Sequence, residues 1–99
     1  MINLSKFNLS GKTALITGAA GGLGQQHAQS LLEVGCKVIL SDISDLGLNQ
    51  IRPRFKDQNC LFETLDVSSE KSVKRLFEKL NSDKVMIDIL INNAAINHA

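Results

Sequence analysis

The sequence predicts an α/β fold built on an open parallel β-sheet, because short apolar strands alternate with helical segments along its 99 residues. Four short apolar runs lack the regular polar–apolar alternation of a half-exposed strand. They therefore suit strands that are buried on both faces, as the strands of a parallel sheet are. These runs lie at 12–17, 37–42, 60–65 and 87–91.

Three helical segments separate the predicted strands, and each has its own boundary signal. In the first, Leu23 and Leu31 fall close to one face, and Gly35 ends the helix. The second is the weakest, and Pro53 ends or kinks it. The third has apolar residues spaced i, i+3, i+4 and i+7, with Ser68 as its predicted N-cap. The segments are 23–34, 44–52 and 69–81, and the apolar stripe of the third is Val73, Leu76, Phe77 and Leu80.

Composition and charge exclude several classes of protein. The chain has 11 basic and 10 acidic residues, a net charge of +1, and so no positive field for nucleic acid or an anionic membrane. Its 43% hydrophobic content is too high for a disordered chain. No run reaches the roughly 18 apolar residues of a membrane helix, and the N-terminus lacks a secretory apolar segment, so we expect a cytoplasmic protein. Cys36 and Cys60 are too few for a metal cage or a disulfide framework, so no metal site is predicted.

A glycine-rich turn, Thr17-Gly18-Ala19-Ala20-Gly21-Gly22-Leu23-Gly24, joins the first strand to the first helix. A dinucleotide pyrophosphate requires a sharp turn, a close approach of the backbone and free N–H groups at a helix N-terminus. Gly18, Gly22 and Gly24 stand where those requirements fall. The alternative is a tight turn with a structural role only, but its position between a strand and a helix favours a cofactor site. Gln25-Gln26 follows, which excludes the Gly-Lys-Ser/Thr ending of a nucleoside-triphosphatase loop.

An acidic residue, Asp42, ends the second strand, 24 residues after Gly18. A carboxylate at this position can accept hydrogen bonds from the adenosine ribose hydroxyls of a dinucleotide. It would also repel the additional phosphate of NADP, and neither Ile43 nor the glycine turn supplies a basic side chain to pair with that phosphate. The sequence therefore favours NAD over NADP. The alternative is a solvated Asp in a turn at the end of the strand.

Several motifs in order resemble the short-chain dehydrogenase/reductase family, from about residue 7 to the end of the chain. They are the glycine turn with the strand before it, Asp66-Val67 after the third strand, and Asn92-Asn93-Ala94-Ala95 after the fourth. The resemblance implies the first half of a Rossmann-type doubly wound parallel sheet with strand order 3-2-1-4. Residues 1–99 would then be the N-terminal part of a single NAD(P)-binding domain. Right-handed crossovers would place the first two helices on one face and the third on the other.

The resemblance also implies a role for each residue that matches a motif. Gly18, Gly22 and the Leu23 amide would line the pyrophosphate, Gly24 would let the helix pack on the strand, and Asn92 would tie strand ends together. Asp66 and Val67 would contact the adenine, while Asn93 and Ala94 would approach the ribose. From the residues alone, Asp66 has an alternative as an acid at a helix N-terminus, and Asn92-Asn93 as a turn. Ala95 departs from the family, which has glycine there. Together with Asp42, which its own position at the end of the second strand predicts, the implied cofactor-binding residues are Gly18, Gly22, Leu23, Gly24, Asp66, Val67, Asn93 and Ala94.

The activity implied by the resemblance is hydride transfer between a nicotinamide and a carbonyl or alcohol substrate. The family's catalytic Ser, Tyr, Lys and supporting Asn all follow the Asn-Asn-Ala-Gly motif, and this sequence has no Tyr and ends four residues after Ala95. We therefore expect a fragment without catalytic residues, which forms a homo-oligomer only when complete. The alternatives are a non-catalytic dinucleotide-binding module and a truncated remnant.

The predicted strand order leaves one part of the sheet uncovered. The third helix alone cannot cover its face, and the fourth strand becomes an apolar edge. We therefore expect the isolated chain to expose a large apolar patch and to aggregate or fold loosely.

Overall fold

The computed structural model describes residues 8–94, which form a four-stranded sheet with three α-helices and one short 3-10 segment. All strand pairs are parallel, and each strand except the last is followed by a helix. In chain order the elements are β1 (Thr13–Thr17), α1 (Gly22–Glu33), β2 (Lys37–Asp42), α2 (Asp45–Ile51), the 3-10 segment (Arg52–Phe55), β3 (Cys60–Thr64), α3 (Glu70–Ser82) and β4 (Ile89–Asn92).

The strand order is β3-β2-β1-β4, which confirms the predicted sheet. Leu15 at the centre of β1 lies opposite Ile39 in β2 and Leu90 in β4. The chain moves outward from β1 to β3 and then returns to the other side of β1. Such a reversal opens a crevice at the carboxyl ends of the strands, where doubly wound folds bind their ligands.

The two faces of the sheet have separate hydrophobic cores. On one face, Ala14 and Ile16 of β1 pack with Ala28 of α1 and Leu48 of α2. On the other, the alternate side chains of β1 and β2 pack against α3. This arrangement confirms the predicted positions of the helices, with α1 and α2 on one face and α3 on the other. The second core consists of Leu15, Ile39, Leu65, Leu76 and Leu80.

Two predictions about the helix boundaries hold and two details are wrong. α1 ends at Glu33, before Gly35, and α2 gives way to the 3-10 segment that contains Pro53. The N-cap of α3 is Ser69, whose Oγ accepts from the Ser72 amide, whereas Ser68 is held one residue earlier by the Asp66 carboxylate. The spacing predicts Leu23 on the apolar face of the first helix, but Leu23 lies in the first turn of α1 and is 58% exposed, whereas Ala28 and Leu31 are buried.

The predicted apolar edge is present at β4. Leu90 shares a face with Leu15 but is 61% exposed, because α3 covers β1 and β2 and does not reach β4. Two other exposed apolar residues, Met86 and Phe77 at 78% and 44% exposed, line a hollow between α3 and the segment before β4. Aggregation of the isolated chain stays a prediction. Within residues 8–94, no helix combines the length and the apolar character that a bilayer span requires.

Candidate functional site

A cleft of about 520 Å³ lies at the carboxyl ends of the four strands. The end of each strand contributes to it, because parallel strands bring their carboxyl ends to the same edge of the sheet. Of the implied cofactor residues, those that line the cleft are Gly18, Asp42, Asp66, Val67, Asn93 and Ala94.

The three remaining implied residues, Gly22, Leu23 and Gly24, form the start of α1 rather than the cleft wall. Gly22 and Leu23 are exposed, whereas Gly24 is buried against the turn. Sequence reasoning missed four wall residues that adjoin the motifs in the chain. Three of them adjoin a glycine or an acid already singled out, and Ser68 adjoins Val67; that adjacency is the signal that could have found them. They are Gly21, Ile43, Leu65 and Ser68.

The glycine turn depends on two positions that tolerate no side chain. Gly18 has φ +65°, and a Cβ there would lie 2.9 Å from the Cα of Ala94. A Cβ on Gly24 would lie 2.6 Å from the Gly18 carbonyl oxygen. Both distances are shorter than non-bonded atoms allow, so Gly18 lets β1 approach the end of β4 and Gly24 lets α1 approach the turn. A Cβ on Gly22, by contrast, would meet no described atom within 4 Å.

The N-terminus of α1 has no capping side chain within the described residues. Its N-cap is Gly21, in an extended conformation, and its first turn contains no acidic residue. The N–H groups of a first helical turn have no intrahelical acceptor, and the helix dipole adds partial positive charge there. The start of α1 is therefore suited to an anionic ligand such as a pyrophosphate.

Asp42 joins the glycine turn to the end of β2. Its Oδ2 accepts a hydrogen bond from the Ala20 amide at 3.0 Å, and its Oδ1 accepts from the Ser44 amide at 3.0 Å. A carboxylate has about four acceptor positions, so both oxygens retain capacity for ligand hydroxyls. Asp42 thus supports the turn as well as lining the cleft, a contact that its sequence position did not reveal.

Asp66 also combines a local structural contact with a place on the cleft wall. Its Oδ1 accepts from both the amide and the hydroxyl of Ser68, at 3.0 and 2.6 Å. Its own amide donates to the Ser72 hydroxyl at 3.0 Å, which links the end of β3 to α3. The Asp66 carboxylate therefore closes a turn before α3 and accepts no hydrogen bond from an amide of that helix, and this contact does not remove Asp66 from the cleft.

Thr17, which sequence reasoning did not single out for the site, ties the ends of β1 and β4 together. Its buried hydroxyl donates to Asn92 Oδ1 at 2.8 Å and accepts from the amides of Asn93 and Ala94, at 3.0 and 3.1 Å. Asn93 Nδ2 in turn donates to the Gly18 carbonyl oxygen at 3.2 Å. The Asn92 contact has the implied role of tying strand ends. Ala95 lies outside the described residues.

The sequence around this cleft matches a known protein family. The model of the short chain dehydrogenase family matches residues 12–99, nearly the whole chain. The chain belongs to the short-chain dehydrogenase family. The glycine turn, the strand-end acids and the Asn92–Ala94 segment described above all lie within the matched region.

Individual members of the short-chain dehydrogenase family are similar over the same region. A short chain dehydrogenase/reductase, dpfgG, from Gibberella zeae is 42% identical over 90 residues, which are 90% of this chain and 33% of that protein. The NAD(+) 15-hydroxyprostaglandin dehydrogenase of Mus musculus is 37% identical over 95 residues, which are 92% of this chain and 35% of the relative. The NADP complex of Pseudomonas aeruginosa RhlG superimposes with a TM-score of 0.80 and 35% identity, over 91% of this chain and 37% of that structure. The chain thus spans about a third of the length of these relatives.

The cleft of this short-chain dehydrogenase chain is acidic. Asp42 and Asp66 contribute two carboxylates, and no basic side chain from residues 8–94 lines it. The two thiols lie elsewhere, and burial raises the pKa of both Cys36 and Cys60. They therefore stay protonated and packed at neutral pH, in keeping with their predicted role as small apolar residues.

Proposed function

We propose that this chain binds NAD in the strand-end cleft and forms the cofactor-binding part of an oxidoreductase. When bound, the nicotinamide would exchange a hydride with a carbonyl or alcohol substrate. The location would be cytoplasmic, and a homo-oligomer would form only in the complete protein. The carrying observation is that an uncapped helix start and the Asp42 carboxylate meet across one glycine turn.

The residues present fit a dinucleotide from its pyrophosphate to its adenine. The free amides at Gly22 and Leu23 would bind the pyrophosphate, since they have no intrahelical acceptor. Asp42 would accept from the adenosine ribose hydroxyls. Asp66 and Val67 would contact the adenine at the far wall of the cleft, where both residues lie.

At the other wall, Asn93 and Ala94 would approach the ribose. Both amides are fixed by the Thr17 hydroxyl, so this segment needs little rearrangement to receive a ligand. Preorganisation of this kind reduces the ordering cost of binding.

The charge of the cleft supports NAD rather than NADP. The additional phosphate of NADP carries between one and two negative charges at neutral pH and would enter a cleft with two carboxylates and no lining basic residue among residues 8–94. The relatives do not decide the question, because the mouse enzyme is named for NAD(+) whereas the Pseudomonas complex holds NADP. The proposal therefore depends on Asp42 itself.

The chain has no Tyr, the residue that the resemblance implies as the acid–base group. We therefore propose that residues 1–99 bind the cofactor without turning over substrate. The same observation favours a second candidate, a non-catalytic dinucleotide-binding module. The complete coding sequence separates the two, since only an oxidoreductase would carry a Tyr-x-x-x-Lys after residue 99.

The test is a calorimetric comparison of NAD and NADP binding by the wild-type chain, Asp42→Asn and Asp42→Ala. We expect the wild type to bind NAD more tightly than NADP. In both variants the ratio of the two affinities should fall at least about tenfold, since like charges in close contact cost several kcal/mol. Asp42→Asn retains an amide oxygen as acceptor, so it separates loss of charge from loss of the turn contact. Asp45→Asn is the matched control, because Asp45 is an exposed acid three residues away that does not line the cleft.

An unchanged preference in Asp42→Asn would remove Asp42 from the cofactor site. Failure of the wild-type chain to bind either dinucleotide would overturn the proposed function as a whole.

A further inference from the structure

Gln25, the residue immediately after the glycine turn, reaches back across it. Its side-chain Nε2 donates to the Ala20 carbonyl oxygen at 3.1 Å and, less closely, to the Gly21 carbonyl oxygen at 3.4 Å. The same side chain accepts, through Oε1, from Arg54 Nη1 at 2.9 Å. One amide group thus contacts two carbonyls of the turn and a guanidinium group from another part of the chain.

The partner of Gln25 comes from the 3-10 segment that follows α2, 29 residues further along the chain. The guanidinium carbon of Arg54 lies 5.3 Å from the centre of the Phe55 ring, and Phe55 is buried in the core. Phe55 therefore gives the exposed Arg54 side chain a fixed support. Through Arg54, the glycine turn is connected to the α2 side of the sheet as well as to its own helix.

The two carbonyls that Gln25 contacts belong to two successive peptide groups of the turn. The N–H of the first, from Gly21, donates to the Gly18 carbonyl oxygen at 3.3 Å, and the N–H of the second, from Gly22, is one of the free amides at the start of α1. In a turn that binds an anion, the N–H groups face the ligand and the carbonyls point elsewhere. The Gln25 amide is a donor to those carbonyls, while the Asp42 carboxylate accepts from the Ala20 amide. The two peptide groups that flank the Ala20 Cα are thus both held, one through its N–H by Asp42 and the other through its C=O by Gln25.

A turn of this composition needs such restraint. Glycine loses more backbone freedom on ordering than any other residue, and this turn contains Gly18, Gly21, Gly22 and Gly24. Ordering the turn only on binding would subtract from the affinity for the ligand. Contacts that hold it in the binding conformation beforehand would raise that affinity.

We propose that Gln25 and Arg54 form a positioning pair, which holds the glycine turn with its amides toward the pyrophosphate. Neither residue lines the cleft, so both act through the turn rather than on the ligand. This inference rests on the proposed function and assigns these two residues to its pyrophosphate subsite. The pair acts in series, since Arg54 holds Gln25 and Gln25 holds the carbonyls.

The experiment compares two probes, ADP and adenosine, by NMR titration of the full chain, because adenosine lacks the pyrophosphate. We expect Gln25→Ala and Gln25→Glu to weaken ADP binding about five- to tenfold, the loss of roughly one net hydrogen bond, and to leave adenosine binding unchanged. Gln25→Glu preserves the size of the side chain and a partner for Arg54, but a carboxylate cannot donate to carbonyls. Arg54→Ala should weaken ADP binding less, and adding it to Gln25→Ala should have no additional effect because the two act in series.

Two controls separate this positioning role from general stability. Gln29→Ala removes a side chain one turn further along α1, and Arg52→Ala removes an arginine from the same 3-10 segment. Both should retain wild-type ADP binding. Without any ligand, the hydrogen-bonded amides of Ala20 and Gly21 should exchange their hydrogens faster in Gln25→Ala than in Gln29→Ala.

Three results would overturn the proposal while leaving the proposed function intact. They are wild-type ADP affinity in Gln25→Glu, an equal loss of ADP and adenosine binding, and additive losses in the double variant. A wild-type chain that binds neither probe would instead overturn the proposed function.

Discussion

The N-termini of α1 and α3 are built in opposite ways. α3 begins with Ser69, whose hydroxyl accepts from the Ser72 amide, and it has Glu70 in its first turn and Lys79 in its last. α1 begins with Gly21, which offers no capping side chain, and neither its first nor its last turn carries a charge of the complementary sign. Yet α1 packs on both inner strands of the sheet, β1 and β2.

The difference indicates what each helix start is for. A capping side chain and a first-turn acid stabilise a helix by about 1 kcal/mol each, and they do so by occupying the N–H groups that an anion would use. α3 has both of these stabilising features at its N-terminus. α1 has neither at its N-terminus, and its buried residues Ala28 and Leu31 stabilise it by packing against the sheet. The uncapped start therefore fits the proposed pyrophosphate site, and the predictions below test that interpretation.

The largest expected loss of stability and of NAD binding comes from Gly24→Ala, because its side chain would push α1 away from the turn. The new Cβ would lie 2.6 Å from the Gly18 carbonyl oxygen and 2.8 Å from the Cα of Ala19, both backbone atoms that cannot move aside easily. We expect the free energy of unfolding to fall by about 3 kcal/mol, as for other overpacked sites, with loss of NAD binding. Denaturant unfolding measures the first and calorimetry the second.

Gly22→Ala is the matched control, because a Cβ there would meet no described atom within 4 Å. Its unfolding free energy should rise by up to about 1 kcal/mol, because alanine favours a helix more than glycine does. Its affinity for NAD should nevertheless fall, since the open space at Gly22 faces the proposed pyrophosphate. If Gly24→Ala were as stable as Gly22→Ala, the close packing of α1 on the turn would be contradicted.

The sequence allowed the fold and most of the cleft wall to be predicted, because strand-end residues are brought together by any parallel sheet. The places of Gly18, Asp42 and Asp66 on the cleft wall follow from their positions at the ends of strands. The contacts of Gln25 could not be predicted, since Arg54 lies 29 residues away and its side chain direction depends on how the 3-10 segment packs. Ser68 was mistaken for the cap of α3 because two adjacent serines have equal propensity. The Asp66 side chain decides between them by binding Ser68.

The next largest change in NAD affinity is expected from adding a capping side chain to the N-terminus of α1. Gly21→Asp and Gly21→Asn both place an acceptor at the N-cap, where the backbone is already extended and a Cβ would have an ordinary 3.6 Å contact with the Gly18 carbonyl oxygen. Both should raise the unfolding free energy by a few tenths of a kcal/mol. The Asp variant should in addition weaken NAD binding by more than about tenfold, because its charge opposes the pyrophosphate.

The Asn variant separates the charge from the cap. Its affinity for NAD should lie between those of the wild type and Gly21→Asp, and the gap between the two variants should narrow as salt screens the charge. Equal NAD affinity in all three proteins would show that the start of α1 does not contact an anion.

A smaller effect is expected from removing the cap of α3. Ser69→Ala leaves the Ser72 amide without its side-chain acceptor and should lower the unfolding free energy by about 1 kcal/mol. NAD affinity should not change, because Ser69 does not line the cleft. Ser82→Ala, at the exposed C-terminal end of the same helix, should leave both quantities unchanged. A loss of NAD affinity in Ser69→Ala would mean that α3 takes part in the site and that the contrast between the two helices is incomplete.

The smallest expected effect lies at the other end of α3. Lys79 Nζ is 2.6 Å from the Glu63 carboxylate, and this hydrogen bond, aided by the attraction between the charges, raises the pKa of Lys79 above its ordinary value of 10.5. Because the folded pKa is the higher one, the stabilisation is fully present below the unfolded pKa and is lost as the pH rises through the folded pKa. Lys79→Met should therefore be slightly less stable than the wild type at about pH 9 and should lose less stability between about pH 9 and pH 12. Lys74→Met, which removes an exposed lysine from the same helix, should retain the wild-type change. Parallel pH dependence in the wild type and Lys79→Met would show that the ion pair adds nothing, and the contrast with α1 would then lie at the helix N-termini alone.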